Sequence, residues 1–245
     1  MSAFFFQASE RNAAPRFWVI VAGAGNGSRM GDGLPKQYLP LAGKTVLEQT
    51  LIRLAAPPRI AGIVIALAAD DAHWATLNLH LDIPLRQVIG GGARCHSVLA
   101  ALDSLLEAAD PRDWVLVHDA ARPCVRAADL ERLMDALSDD AVGGLLAVPA
   151  HDTLKRADST GHVADTLDRA ELWHAQTPQM FRLGALHAAL NAAIGAGELV
   201  SDEAAAMERA GAMPRLIEGH GDNIKITRPD DLILAETYLR AQAEE

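Results

Sequence analysis

The stretch VIVAGAGNGSRMGDGLPKQY, residues 19–38, places glycines at positions 23, 25 and 27 and follows them with Arg29 and Lys36. Glycines at this spacing let backbone amides approach an anion with no Cβ in the way, and they can form a concave nest. Arg29 and Lys36 add positive charge to the same loop, and Pro35 restricts the residue before it. A phosphate suits such a loop. Two familiar phosphate loops nearly match it, and both fail on residue count. The dinucleotide fingerprint needs a third glycine where Ser28 stands. The P-loop needs a glycine five positions before Gly43-Lys44-Thr45, where the chain has Tyr38. On these residues alone, an ordinary glycine turn with solvated basic side chains stays open.

The elements around the loop indicate what must position it. The runs FWVIVA (17–22), AGIVIALA (61–68), RQVIG (86–90), WVLVH (114–118) and VGGLLAVP (142–149) read as buried strands. Between them TVLEQTLIRLAA, SVLAALDSLLEAA and DLERLMDAL carry apolar residues at helical spacing. Strand–helix alternation predicts right-handed βαβ units and a Rossmann-like, mostly parallel α/β sheet flanked by helices. Sites on such sheets lie at the carboxyl ends of strands. From about 150 to 171 the pattern turns polar and alternating, with a Ser-Thr-Gly turn, and predicts a projecting β-hairpin arm. An exposed hairpin is marginal alone and wants a partner surface, most simply a second copy of the chain. Beyond it we expect helices near 183–196 and 202–210, a strand at NIKI (223–226) and a last helix begun by RPDD. Residues 1–16 read as a loose, flexible extension, and 17–245 as a single domain bearing the arm.

Composition narrows the partners. The chain has 245 residues, half of them hydrophobic but only 4% aromatic, so Ala, Leu, Val and Ile must fill its core. A formal charge of −10 argues against nucleic-acid or membrane-surface binding, yet a local cluster of Arg and Lys can still serve an anionic small substrate. The two cysteines, Cys95 and Cys124, lack metal-ligand spacing and read as reduced thiols. No apolar run approaches a membrane span, and the N-terminus lacks the basic n-region of a signal peptide, so a cytoplasmic protein is expected.

The sequence A-G-x-G-x-R-M followed by P-K-Q-Y resembles the start of the sugar-phosphate cytidylyltransferases. More closely, it resembles the 2-C-methyl-D-erythritol 4-phosphate cytidylyltransferase family. The stretches GGGARCHSVLAAL (90–102), VHDAARP (117–123), DTLKRAD (152–158), LDRAELWHAQTPQMF (167–181), SDEAAAMERAG (201–211) and DNIKITRPDDLILAE (222–236) follow in that family's order. The resemblance implies transfer of CMP from CTP to 2-C-methyl-D-erythritol 4-phosphate, giving 4-diphosphocytidyl-2-C-methyl-D-erythritol and pyrophosphate for non-mevalonate isoprenoid synthesis, assisted by Mg²⁺ or another divalent cation. The attacking oxygen belongs to a phosphate already ionised near neutral pH. Catalysis then reduces to alignment and charge stabilisation, and no histidine is needed as a base.

Roles follow residue by residue from the resemblance. Arg29 and Lys36 would stabilise the transition state, while Ala24, Gly25 and Gly27 wrap the triphosphate. Gly91 and Ser97 would contact cytidine and ribose, although helix N-capping would explain Ser97 almost as well. In this turn Gly92 and His96 stand where the family often has acids. Asp119 and Arg122 would meet the polyol phosphate, with Asp119 also near the metal; a strand-end ion pair is the plainer reading. Thr153 and Arg169 on the arm would reach the substrate across a homodimer, Arg169 aligning it for attack. Thr177 and Lys225 complete the set, Lys225 holding the substrate phosphate. Asp222 could assist the metal or simply form a turn. His118 reads as structural. Ribitol 5-phosphate cytidylyltransferases are the nearest rivals. A binding module without activity and a Rossmann dehydrogenase are the more distant ones, and the length leaves no room for a fused cyclase.

Overall fold

The structure is a computed structural model and describes residues 14–25 and 34–244. The first apolar run forms β1 (Phe17–Ala22), an interior strand of a seven-stranded sheet. On one side of β1 lie β4 (Ile60–Leu67) and β5 (Leu85–Ile89), all three parallel. On the other lies β6 (Trp114–Asp119), also parallel, and beyond it β10 (Trp173–Arg182), β7 (Gly143–Pro149) and β11 (Arg215–Glu218). Only β10 runs against its neighbours. The expected mostly parallel sheet is therefore observed. The continuous apolar runs form central strands because both faces of those strands are covered.

Side chains of β1 alternate between two cores. Val19 and Val21 face α1 (Val46–Ala55) and α3 (Ala127–Leu137), packing with Leu47, Leu51, Leu130 and Leu133. Trp18 and Ile20 face α2 (Arg94–Leu106) and α4 (Leu183–Gly195), packing with Val98, Leu102, Leu186 and Leu190. Gly43-Lys44-Thr45 proves to be helix punctuation. A turn with Ala42 and Gly43 at positive φ joins the short strands β2 (Pro40–Leu41) and β3 (Lys44–Thr45). Thr45 and Glu48 then form a reciprocal capping box on α1.

The segment from 150 to 171 contains the antiparallel pair β8 (Leu154–Ala157) and β9 (Val163–Leu167), largely exposed. After α4 come α5 (Glu203–Arg209), β11 and α6 (Asp230–Ala243). Among the described residues, no helix is long and apolar enough to cross a membrane.

One expected strand is not a strand. The sheet position beside β7 belongs to Arg215–Glu218, and NIKI runs as irregular chain. The apolar residues of NIKI are satisfied elsewhere: Ile226 is fully buried, and Ile224 packs with it in a third cluster with Leu41, Val46, Ala235 and Leu239 beneath α6. A four-residue stretch with two isoleucines cannot distinguish these destinations.

Candidate active site

A cavity of about 200 Å³ opens at the carboxyl ends of β1, β5 and β6. One wall is the backbone of Gly23, Ala24 and Gly25, and a second is Gly91, Gly92 and Ala93. Asp119, Lys36, Arg94 and Lys225 supply its charge. The two glycine turns meet closely. A Cβ on Gly90 would lie 2.6 Å from the Ala24 Cβ and 2.7 Å from Ser97 Oγ, so only glycine keeps the walls together.

Helix α2 begins at Arg94, three residues before the expected Ser97, with Ala93 as its N-cap. Ser97 is therefore not the cap. Its buried hydroxyl accepts the Gly91 N–H at 3.1 Å and donates to the Ala93 carbonyl at 3.1 Å, tying the turn to the helix. Gln37, which sequence reasoning passed over, does the same for the first wall. Its Nε2 donates to the carbonyls of Gly23 at 3.0 Å and Gly25 at 3.3 Å. Lys36 is thereby carried on a turn bonded to the glycine loop.

The irregular NIKI segment organises the cations. Carbonyls in a sheet strand are spent on neighbours, whereas these are available. Lys36 Nζ donates to the Ile226 carbonyl at 2.9 Å, and Arg122 donates to the Asn223 carbonyl at 2.6 Å. Lys225, between the half-buried Ile224 and the buried Ile226, reaches Asp119 Oδ2 at 2.9 Å. Arg94 Nε meets Asp119 Oδ1 at 2.9 Å, and Arg122 Nε lies 3.5 Å from Oδ2. Burial alone would raise the Asp119 carboxyl, but Arg94, Lys225 and Arg122 together outweigh it and hold the group well below the usual carboxylate range. Arg94 was missed as a site residue because its partners lie in other elements. Its outer nitrogens pair with both oxygens of Glu203, at 2.6 and 3.1 Å.

His118 and Thr177 hold the turn from below. Thr177 Oγ accepts the Asp119 N–H at 3.2 Å and lies 3.0 Å from His118 Nδ1, while His118 Nε2 lies 3.0 Å from the Arg122 carbonyl. A carbonyl only accepts, so the imidazole proton sits on Nε2, and Nδ1 takes the threonine hydroxyl. Burial pushes His118 down to about 4, against an ordinary 6.5. The ring is neutral and structural, as expected. Because its folded pKa is depressed, its contribution to stability is present above pH 6.5 and lost as pH falls towards 4. Between pH 7 and pH 4 the wild-type protein should lose about 3 kcal/mol that His118→Asn does not lose, measured by denaturant unfolding at each pH.

The other expected site residues fall in three places. Gly27 and Arg29 lie outside the described residues. Thr153 and Arg169 are exposed on the arm and do not line the cavity; Arg169 donates to the His151 carbonyl. Asp222 is also absent from the cavity lining, and its Oδ2 is held by Arg126 at 2.6 Å and Gln242 at 2.8 Å. Among the described residues, no group of three His, Cys, Asp or Glu side chains could hold a metal. Among the described residues the cavity thus offers one carboxylate, Asp119, whose oxygens keep spare lone pairs beside the cations. Such a donor set suits a hard cation that takes most of its ligands from phosphate and water.

A mostly parallel sheet with two glycine walls at its strand ends and a cationic rim suits an α/β enzyme that binds phosphates, and the solved structures similar to it make it a nucleotidyltransferase. The family model IspD, 2-C-methyl-D-erythritol 4-phosphate cytidylyltransferase, matches residues 17–241, and the chain belongs to that family. A relative of that name from Pseudomonas savastanoi pv. phaseolicola is 54% identical over 219 residues, covering 89% of this chain and 93% of the relative. The crystal structure of a 4-diphosphocytidyl-2C-methyl-D-erythritol synthase superposes with a TM-score of 0.80 at 35% identity, covering 92% of this chain and 99% of the other. The Francisella tularensis 2-C-methyl-D-erythritol 4-phosphate cytidylyltransferase gives 0.78 at 36%, covering 91% and 99%.

Proposed function

We propose that this enzyme transfers CMP from CTP to 2-C-methyl-D-erythritol 4-phosphate, forming 4-diphosphocytidyl-2-C-methyl-D-erythritol and pyrophosphate in isoprenoid precursor synthesis. The observation that carries this reading is a cationic cavity built from the family's own motifs in a chain matched by that family from residue 17 to 241. A phosphate oxygen of the acceptor attacks the α-phosphorus of CTP, and the α–β bridging oxygen leaves with pyrophosphate. No side chain needs to remove a proton.

The chain's part is alignment and charge. The backbone at Ala24, Gly25 and Gly91 lines the nucleotide phosphates and ribose, with Ser97, which takes the Gly91 N–H, holding the second wall in place. Lys36 faces the charge that grows on the triphosphate as the bond forms, and the family pattern gives Arg29 and Gly27 a part in the same task. Lys225 and Arg122 receive the acceptor's phosphate, and Thr177 serves them by fixing the Asp119 turn. Asp119 is the residue to hold Mg²⁺, which when bound would neutralise phosphate charge; Asp222, tied to Arg126, is the weaker candidate. Residues 17–245 act as one catalytic unit in the cytoplasm, and the arm at about 150–171 pairs two copies so that Thr153 and Arg169 reach the neighbouring cavity.

The test is pyrophosphate release with CTP and Mg²⁺, comparing 2-C-methyl-D-erythritol 4-phosphate with D-ribitol 5-phosphate. A kcat/KM at least about 100-fold higher for the methylerythritol substrate is expected, since lost polar contacts in a phosphate-anchored site discriminate strongly. Preference for ribitol phosphate would keep the mechanism and change the substrate. Release with neither, from folded protein that binds CTP, would reject the catalytic reading.

A further inference from the structure

Behind the cavity wall lies an ion pair that the chemistry above does not use. The Glu203 side chain is 1% exposed and sits at the first position of α5, in a surface otherwise packed through Ala204, Ala206 and Met207. It meets Arg94 with two parallel bonds, Nη1 to Oε1 at 2.6 Å and Nη2 to Oε2 at 3.1 Å. A guanidinium is planar, so two such bonds fix its plane and therefore the direction of the remaining Nε–H. That Nε–H points at Asp119, 2.9 Å away.

Glu203 is itself held in place. Gln179 of β10 accepts the Ala204 N–H at 2.7 Å and donates to Asp202 at 2.9 Å, while Asp202 caps α5 through the Ala205 N–H at 3.0 Å. One line of bonds thus runs from β10 through α5 and α2 to the end of β6. A buried carboxylate is costly, and a leucine or methionine would fill the space more cheaply. What the ion pair adds is direction.

Arg94 also lines the cavity, within reach of an anion placed there. Resting on the reading of that cavity as the CTP site, we propose that Glu203 is a positioning residue that withholds Arg94 from the triphosphate and keeps it turned on Asp119. Glu203 takes one N–H of each outer nitrogen and holds the guanidinium turned towards α5, so the phosphates are left to Lys36 and the backbone amides. With Glu203 neutralised, those nitrogens lose their anionic partner, turn to the nucleotide, and leave Asp119 without its guide.

The experiment uses the full chain carrying Glu203→Gln. CTP affinity is measured calorimetrically with Mg²⁺ and no acceptor, so that nothing turns over, and kcat is measured with both substrates. The variant should bind CTP on the order of fivefold tighter while its kcat falls roughly tenfold. Loosened packing would weaken both, so the opposite signs identify positioning. A second variant, Arg94→Met with Glu203→Leu, replaces the pair by apolar side chains. It should bind CTP within about twofold of wild type and still lose kcat roughly tenfold, because no guanidinium remains to be released or to guide Asp119. Glu203→Gln binding CTP no tighter than wild type overturns the inference, as does the double variant turning over at the wild-type rate. Should Glu203→Gln fail to fold, Glu203→Leu with Arg94 kept takes its place: CTP binding tighter than wild type is again expected, and binding no tighter overturns the inference. Wild-type protein that binds no CTP would instead reject the functional reading beneath it.

Discussion

Lys36→Ala is expected to lower kcat by about 10²- to 10³-fold, the usual cost of removing one preorganised charge from a developing anion. Its KM for CTP should move by less than about threefold, because the glycine walls bind the ground state without it. The structure gives Lys36 this selectivity. It sits in the 3-10 turn Lys36–Tyr38, follows an extended Pro35, and is tied through Gln37 to Gly23 and Gly25. Its Nζ bonds the Ile226 carbonyl beside Lys225, so the amine is held in place before any ligand arrives. Initial rates of pyrophosphate release across CTP concentrations separate the outcomes. A raised KM at wild-type kcat would assign Lys36 to uniform binding instead.

Arg169→Ala should be as damaging, by about 10²-fold or more, although Arg169 does not line the cavity of its own chain. The arm that carries it is largely exposed on both strands, with Val163 65% exposed at the start of β9. A two-stranded ribbon with so little cover gains stability from a partner, and a second copy of the chain is the reading proposed above. In that arrangement Arg169→Ala mixed with Lys36→Ala regains activity. Random pairing gives hybrids in half of the dimers, each with one intact site of two, so about a quarter of wild-type activity should return. Subunit exchange is verified with differently tagged chains. Exchange without recovery would place Arg169 at its own chain's site, or at none.

Local patterning is enough to read the layer structure and most of the cavity. Runs such as Phe17–Ala22 and Trp114–Asp119 are apolar throughout because both faces are covered, and that pattern predicts their strands to within a residue. Strand ends then locate Gly23, Gly91 and Asp119, since in a parallel sheet those ends share one edge. Tertiary structure decided what depends on partners distant in the chain. Ile224 and Ile226 were apolar enough for a strand, but α6 offered them a core, which freed the Asn223 and Ile226 carbonyls for Arg122 and Lys36. The Arg94 and Glu203 side chains stand 109 positions apart, and neither looks unusual locally. Their pairing exists only because α2 and α5 meet on one face of the sheet. Periodicity reports how each segment meets water, whereas the direction of a charged group depends on which charges folding brings to it.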